Sequence, residues 1–265
     1  MHTLNKNAPI GFFDSGVGGL TVLKQVKAIM PNESFIFFGD TLHVPYGDKT
    51  KEELLSYSTN ILKFFEEKGV KAVVMACNTT SSVVYNDIKD KYGFKIYPLV
   101  QSCAKILSRL NINRLGVFAT KATIESHAYE KEIEKHNPNI KVIGQYCPQW
   151  VKIVENNLTN TPESIEIVKN DLENMMKNNP EKIILGCTHY PYLADILSRF
   201  APKELFIDPA PYFAEFIKND LAASNLLCDK NERFEEFYVS ASAEKFALAS
   251  KLFYDLPQGA KEYSF

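Results

Sequence analysis

At 265 residues, with 45% hydrophobic and 23% charged residues, the chain has the composition of a globular protein that buries a core without disulfide or metal staples. Thirty Lys and Arg against 32 Asp and Glu leave a net charge of -2 with no basic block, so nucleic acid is not an expected partner. No window approaches bilayer-spanning length and the opening segment, Met1 to Asn7, lacks the apolar core of a signal peptide, so the expectation is a cytoplasmic location without membrane contact.

The first element is the apolar strand Ile10 to Phe13, which runs into Asp14-Ser15-Gly16-Val17-Gly18-Gly19, a tight glycine-rich turn. Leu20, Leu23, Val26, Ile29 and Met30 then recur at helical spacing until Pro31. Phe35 to Phe38 is the next buried strand, followed by Gly39-Asp40 and a loop whose Pro45 and Gly47 forbid a regular element. Thr50 with Glu53 reads as a capping box for a helix carrying Leu54, Leu55, Ile61, Leu62 and Phe65 and closed by Gly69. Strand Ala72 to Ala76 ends in Cys77 and five small polar residues, Asn78 to Ser82. Val83, Val84, Ile88 and Tyr92 then mark a helix ended by Gly93, and Ile96 to Val100 reads as a strand.

From Cys103 the rhythm restarts, with helix Ala104 to Leu110, strand Leu115 to Ala119, helix Ile124 to Lys135 and strand Val142 to Tyr146. Thr161-Pro162 opens a helix whose Ile165, Val168, Leu172 and Met176 share a face. Strand Lys182 to Leu185 leads to Gly186-Cys187-Thr188-His189, then helix Leu193 to Phe200, strand Leu205 to Ile207, helix Tyr212 to Leu221, strand Phe237 to Val239 and a last helix from Ala243. Such alternation predicts an α/β fold with parallel sheets flanked by helices.

Gly11-Phe12-Phe13-Asp14-Ser15 resembles Gly116-Val117-Phe118-Ala119-Thr120 at an offset of 105, and Cys77-Asn78-Thr79 resembles Cys187-Thr188-His189 at an offset of 110. Matching offsets suggest a duplicated unit with one cysteine per copy, the two related by a pseudo-two-fold axis across a shared cleft. Ligands in such sheets sit at the carboxyl ends of strands, where both cysteines fall, and a following helix amino terminus favours the thiolate; each is expected to titrate below the ordinary ~8.5. The hydroxyls, amides and backbone N-H groups of Ser15, Thr120, Thr188 and Asn78 to Ser82 suit a small anionic substrate, and Asp14 and His189 add one titratable group per half.

Five cysteines, odd in number and without a CxxC pair, exclude a disulfide framework or ribbon-type zinc site; Cys103, Cys147 and Cys228 read as buried inert thiols. Cys187-x-His189 has the form of half a metal site, but the only obvious additions are Cys77 and Asp14, and no metal is expected. A Cys/His hydrolase would leave one cysteine idle. Gly16 to Gly19 is not a dinucleotide loop, since Thr21 stands where GxGxxG needs glycine. His2, His127 and His136 read as ordinary histidines.

Phe13-Asp14-Ser15-Gly16-Val17-Gly18-Gly19-Leu20, Pro45-Tyr46-Gly47, Ala76-Cys77-Asn78-Thr79 and Leu185-Gly186-Cys187-Thr188-His189-Tyr190-Pro191 together resemble the signature segments of bacterial glutamate racemases, in order and over most of the chain. The resemblance implies cofactor-independent, two-base racemisation of glutamate, supplying D-glutamate for peptidoglycan. Cys77 and Cys187 would be the acid/base thiols on opposite faces of the α-carbon, with Asp14 assisting Cys77, His189 assisting Cys187, and Glu155 matching a family acidic position. Asp14, Ser15, Tyr46, Gly47, Asn78, Thr79, Thr188 and His189 would contact substrate, with Thr120 added from the repeat. It further implies a homodimer and two similar α/β domains, residues 1-100 with 210-265 and residues 101-209, with the active site in the cleft between them. Other functions the sequence admits are racemisation of aspartate or a broader set of amino acids, and non-catalytic binding of a small anion. Three positions depart from the family pattern: His43, Lys152 in place of an expected proline, and Val100 to Cys103, which lacks the usual glycine- or proline-containing joint.

Overall fold

The computed structural model describes residues 4-230, 232-256 and 258-265, so that His2 lies outside them. Strand β1 (Ile10–Asp14) feeds the glycine turn and α1 (Leu20–Ile29), followed by β2 (Phe35–Gly39), α2 (Lys51–Glu67) and β3 (Ala72–Met75). The Thr50 and Glu53 capping box forms in both directions, at 2.9 and 3.2 Å, and α2 is closed by Gly69 in the left-handed region at φ 63°. Then come α3 (Asn78–Val83), α4 (Tyr85–Ile88), β4 (Lys95–Pro98) and α5 (Leu99–Leu107).

The second half runs β5 (Arg114–Ala119), α6 (Lys121–Ser126), α7 (Ala128–His136), β6 (Lys141–Tyr146), α8 (Trp150–Glu155), α9 (Pro162–Met176), β7 (Lys182–Gly186), α10 (Ala194–Leu197) and β8 (Phe206–Ile207). Helix α11 (Pro209–Ala223) then leads back to β9 (Glu235–Val239), α12 (Ala243–Ser250) and β10 (Lys261–Glu262). No described helix is long and apolar enough to cross a membrane.

Two sheets result, ordered β10-β9-β2-β1-β3-β4 and β6-β5-β7-β8, and every recorded strand pair in both is parallel. The order β2-β1-β3-β4 is repeated as β6-β5-β7-β8. Register repeats too: Phe13 pairs with Met75 in one sheet and Phe118 with Leu185 in the other, the offsets of 105 and 110 seen in the sequence. The sheet of β1 is covered on both faces, since Phe12 and Val74 join one apolar cluster while Phe13 and Met75 join another. The first of these clusters also takes in Val117, Ile184 and Phe213, so a single core continues from one sheet to the other.

Several boundaries differ from the sequence expectations. Val100 lies in a helix rather than a strand, because Pro98 ends β4 and α5 begins at the next residue. The helix expected over Ile124 to Lys135 is broken into α6 and α7 by His127, which adopts a left-handed conformation at φ 53°. The helix expected after Ser82 starts earlier, at Asn78, and divides at Val84. Behind Cys187 stands no regular helix start but a 3-10 turn, Tyr190–Leu193, with Pro191 in it, and only then the single turn of α10.

Candidate active site

Both repeated strands end at one cavity of about 360 Å³. Its wall contains Cys77, Asn78 and Thr79 from the end of β3, Cys187, Thr188 and His189 from the end of β7, Ser15 and Thr120 from the ends of β1 and β5, Tyr46 and Gly47 from the loop after β2, and Glu155 from α8. This is the carboxyl-end position that parallel sheets offer to ligands. Of the residues singled out in the sequence, Asp14, Thr80, Ser81 and Ser82 are absent from the wall; Asp14 is fully buried behind it.

Asp14 organises the glycine turn. Its Oδ2 accepts from the backbone of Gly16 at 3.1 Å and Gly19 at 2.9 Å, while Oδ1 is buried without a partner. Burial raises its carboxyl to about 6, against the lowering effect of His189 and those two amides. Glycine at position 18 is required by close approach: a Cβ there would lie 2.3 Å from Thr188 Oγ1 and 2.8 Å from the His189 ring. The turn anticipated as a place where backbone nears a ligand thus nears the other half's Thr188 and His189.

The two thiols sit in different electrostatic surroundings. Cys77 is 5% exposed, and burial, followed by the charge of Asp14, pushes its thiol up to about 12, against hydrogen bonding from Thr80. The expected lowering at a helix start does not hold for Cys77: one turn of amides is outweighed by desolvation and a neighbouring carboxylate. Cys187 has a different neighbour, with His189 Nδ1 3.7 Å from its sulfur. On the far side of that ring, Nε2 meets Glu155 Oε1 at 3.1 Å. Burial would push His189 down, but Cys187 and Glu155 together more than reverse this and raise it to about 10.

Glu155 is held there by α8, whose Trp150 is fully buried, donates to Asp171 Oδ2 at 2.7 Å and packs edge-on against Tyr190 with ring centroids 4.9 Å apart. The hydroxyls of Thr79 and Thr120, one per half, are 2.9 Å apart, and Thr123 lies 3.0 Å from Thr120 beneath them. Tyr46 donates to the buried Asp40, which also takes His43 Nδ1 at 2.9 Å and Ser240 Oγ at 2.7 Å. The lysines of the wall, Lys121 and Lys152, are both exposed; the buried donors are hydroxyls, the Asn78 amide and the His189 ring.

Asp40, Thr123, Tyr129 and Lys121 escaped the sequence reading. Asp40 stood at the end of a strand beside a flagged loop, which was a signal; Thr123 and Tyr129 lie on helices with nothing local to mark them. Of the three thiols read as inert, Cys103 and Cys147 are buried and Cys228 is half-buried; Cys147 also lines the cavity, its thiol pushed well up by burial. Among the described residues no three His, Cys, Asp or Glu side chains cluster so as to hold a metal ion.

Residues 21-217 match the family model described as Asp/Glu/Hydantoin racemase. A glutamate racemase of Thermoanaerobacter sp. (strain X514) is 38% identical over 246 residues, covering 92% of each chain. Among solved structures, glutamate racemase from Thermus thermophilus in complex with β-chloro-D-alanine superposes with a TM-score of 0.89 at 32% identity, covering 98% of both chains. That from Francisella tularensis in complex with D-glutamate gives 0.88 at 32% identity, covering 97% of this chain and 96% of the other.

Proposed function

The chain belongs to the Asp/Glu/hydantoin racemase family, and from that premise we propose that it interconverts L- and D-glutamate without a cofactor, using Cys77 and Cys187 as the two bases. The observation that carries this is the placing of both thiols, from equivalent strands of the two repeats, in the wall of one cavity lined by hydroxyl and amide donors beside His189. In one direction the sulfur of Cys187 takes the α-proton, its own negative charge supported by the His189 and Glu155 pair. Cys77, kept protonated by burial and Asp14, delivers its proton to the opposite face. The Cα-H bond broken and the Cα-H bond formed leave the carbon inverted and the two sulfurs with their protonation exchanged; the reverse direction uses the same groups in exchanged roles.

A carbon acid is far weaker than a thiol, and acid/base catalysis alone supplies only ~10²- to 10⁴-fold. The remainder falls to donors on the substrate carboxylate that stabilise the carbanionic transition state, Ser15, Thr79, Thr120 and Thr188, while Asn78 binds the carboxylate alike in ground and transition state, with Tyr46 and Gly47 as the facing wall. We assign residues 1-100 with 210-265 and residues 101-209 to two domains, in line with the membership of the two sheets. The product fits a supply of D-glutamate for peptidoglycan, by a cytoplasmic homodimer.

Incubation with L- or D-glutamate in deuterated water tests this. Wild type exchanges the α-proton and loses optical rotation, while Cys77→Ser and Cys187→Ser do not racemise. Absence of exchange with either enantiomer sinks the glutamate assignment, and exchange with aspartate alone redirects it.

A further inference from the structure

Asn78 stands at the first position after Cys77, 3% exposed, in the wall of the cavity that holds both sulfurs. Its amide is tied at one end only. Tyr129 Oη donates to Asn78 Oδ1 at 2.9 Å, whereas Asn78 Nδ2 is buried with no hydrogen-bond partner. A half-turn of the amide would let the tyrosine hydroxyl accept from the NH2 group instead, but would leave Oδ1 as the free end against the anionic substrate proposed above, so a bound carboxylate selects the orientation in which Tyr129 holds Oδ1. Tyr129 is itself 2% exposed, and burial pushes its phenol well above the ordinary range, which keeps it a donor. The two residues come from different repeats: Asn78 opens α3 behind β3, and Tyr129 lies on α7 between β5 and β6.

A buried NH2 group needs an acceptor, and the amino acid proposed above brings a carboxylate into the cavity whose wall Asn78 forms. We propose that Tyr129 is a positioning residue for substrate, which by holding Oδ1 makes Nδ2 of Asn78 a fixed donor to a carboxylate oxygen of the amino acid. This rests on the racemase function proposed above.

Glutamate racemisation by Tyr129→Phe, Asn78→Ala and the double variant, each checked for fold by circular dichroism, tests it. Tyr129→Phe keeps the ring and removes the donor; KM is expected to rise ~10-fold with kcat changed less than about twofold. In the Asn78→Ala background the same change adds nothing further to KM. An unchanged KM in Tyr129→Phe, a loss confined to kcat, or an equal added loss in both backgrounds overturns the positioning role. Asn78→Asp gives a second test that does not depend on Tyr129→Phe folding. It leaves Tyr129 its acceptor but turns the free end into an oxygen, and KM should exceed that of Asn78→Ala; a KM no higher overturns the proposal. A wild type that exchanges no α-proton overturns the racemase function itself and this role with it, whereas exchange with KM unmoved in Tyr129→Phe overturns this role alone.

Discussion

Glu155 Oε1 lies 3.1 Å from Nε2 of His189, on the opposite side of the ring from Nδ1, which faces the sulfur of Cys187 at 3.7 Å. A carboxylate behind an imidazole fixes which nitrogen faces forward and favours its charged form. The same ring packs against the glycine turn, so the position of His189 depends on a backbone segment of the other repeat.

Glu155→Gln removes the charge and keeps the shape. His189 then falls from about 10 toward its ordinary 6.5, so the imidazolium is lost at a lower pH. The alkaline limb of kcat/KM against pH moves down, and kcat at neutral pH drops ~10-fold. A limb that stays in place would show that the carboxylate does not set the charge of His189.

Asp14→Asn should stabilise the protein while weakening it as a catalyst. The carboxyl is raised from 3.8 to about 6 by burial, so the folded state binds its proton more tightly than the unfolded state. Above pH 6 the buried charge costs about 3 kcal/mol; that cost is relieved as pH falls from 6 to 3.8. The variant is therefore expected to be more stable than wild type by ~1-3 kcal/mol above pH 6, with the gap closing toward pH 4, measured by urea unfolding. Cys77 also loses the second of the causes that push it up, so its thiol titrates at lower pH by cysteine-alkylation rate.

Gly18→Ala places a methyl 2.3 Å from Thr188 Oγ1 and 2.8 Å from the His189 ring, both buried, so that the turn or those side chains must shift. Overpacking of this kind costs about 1-3 kcal/mol. Both the urea midpoint and kcat should fall; a fall in the midpoint alone would mean that the turn can retreat without moving His189.

Asp40→Ala leaves the donors of Tyr46, His43 and Ser240 without their shared acceptor. Stability drops by about 2-4 kcal/mol, and KM rises because Tyr46 and Gly47 lose their anchor in the cavity wall. Ser240→Ala, which removes one donor, should cost only ~1 kcal/mol by the same unfolding assay.

Much of this fold is written locally. Phe12 and Phe13 are apolar because both faces of their sheet are covered, and the capping box at Thr50 forms because its partners are three residues apart. Where local signals competed, the boundaries moved: Ile96 to Val100 is an apolar run that fits strand or helix equally, and Pro98 divided it. His127 gave no local warning of its left-handed turn, which splits α6 from α7.

By itself the sequence determined the alternation of strand and helix, the doubled unit and the two polar turns that carry Cys77 and Cys187, because periodicity and short motifs depend on neighbours along the chain. Only the tertiary structure decided the state of Cys77 and of His189. Cys77 titrates high rather than low because burial and Asp14 outweigh a short helix start, and His189 is raised because Cys187 and the Glu155 that α8 brings up to it outweigh burial. Tyr129 acquires its place through Asn78, 51 residues away in sequence. Desolvation and charge act through space, and their net effect at Cys77 and His189 follows from which distant groups the packed sheets bring alongside.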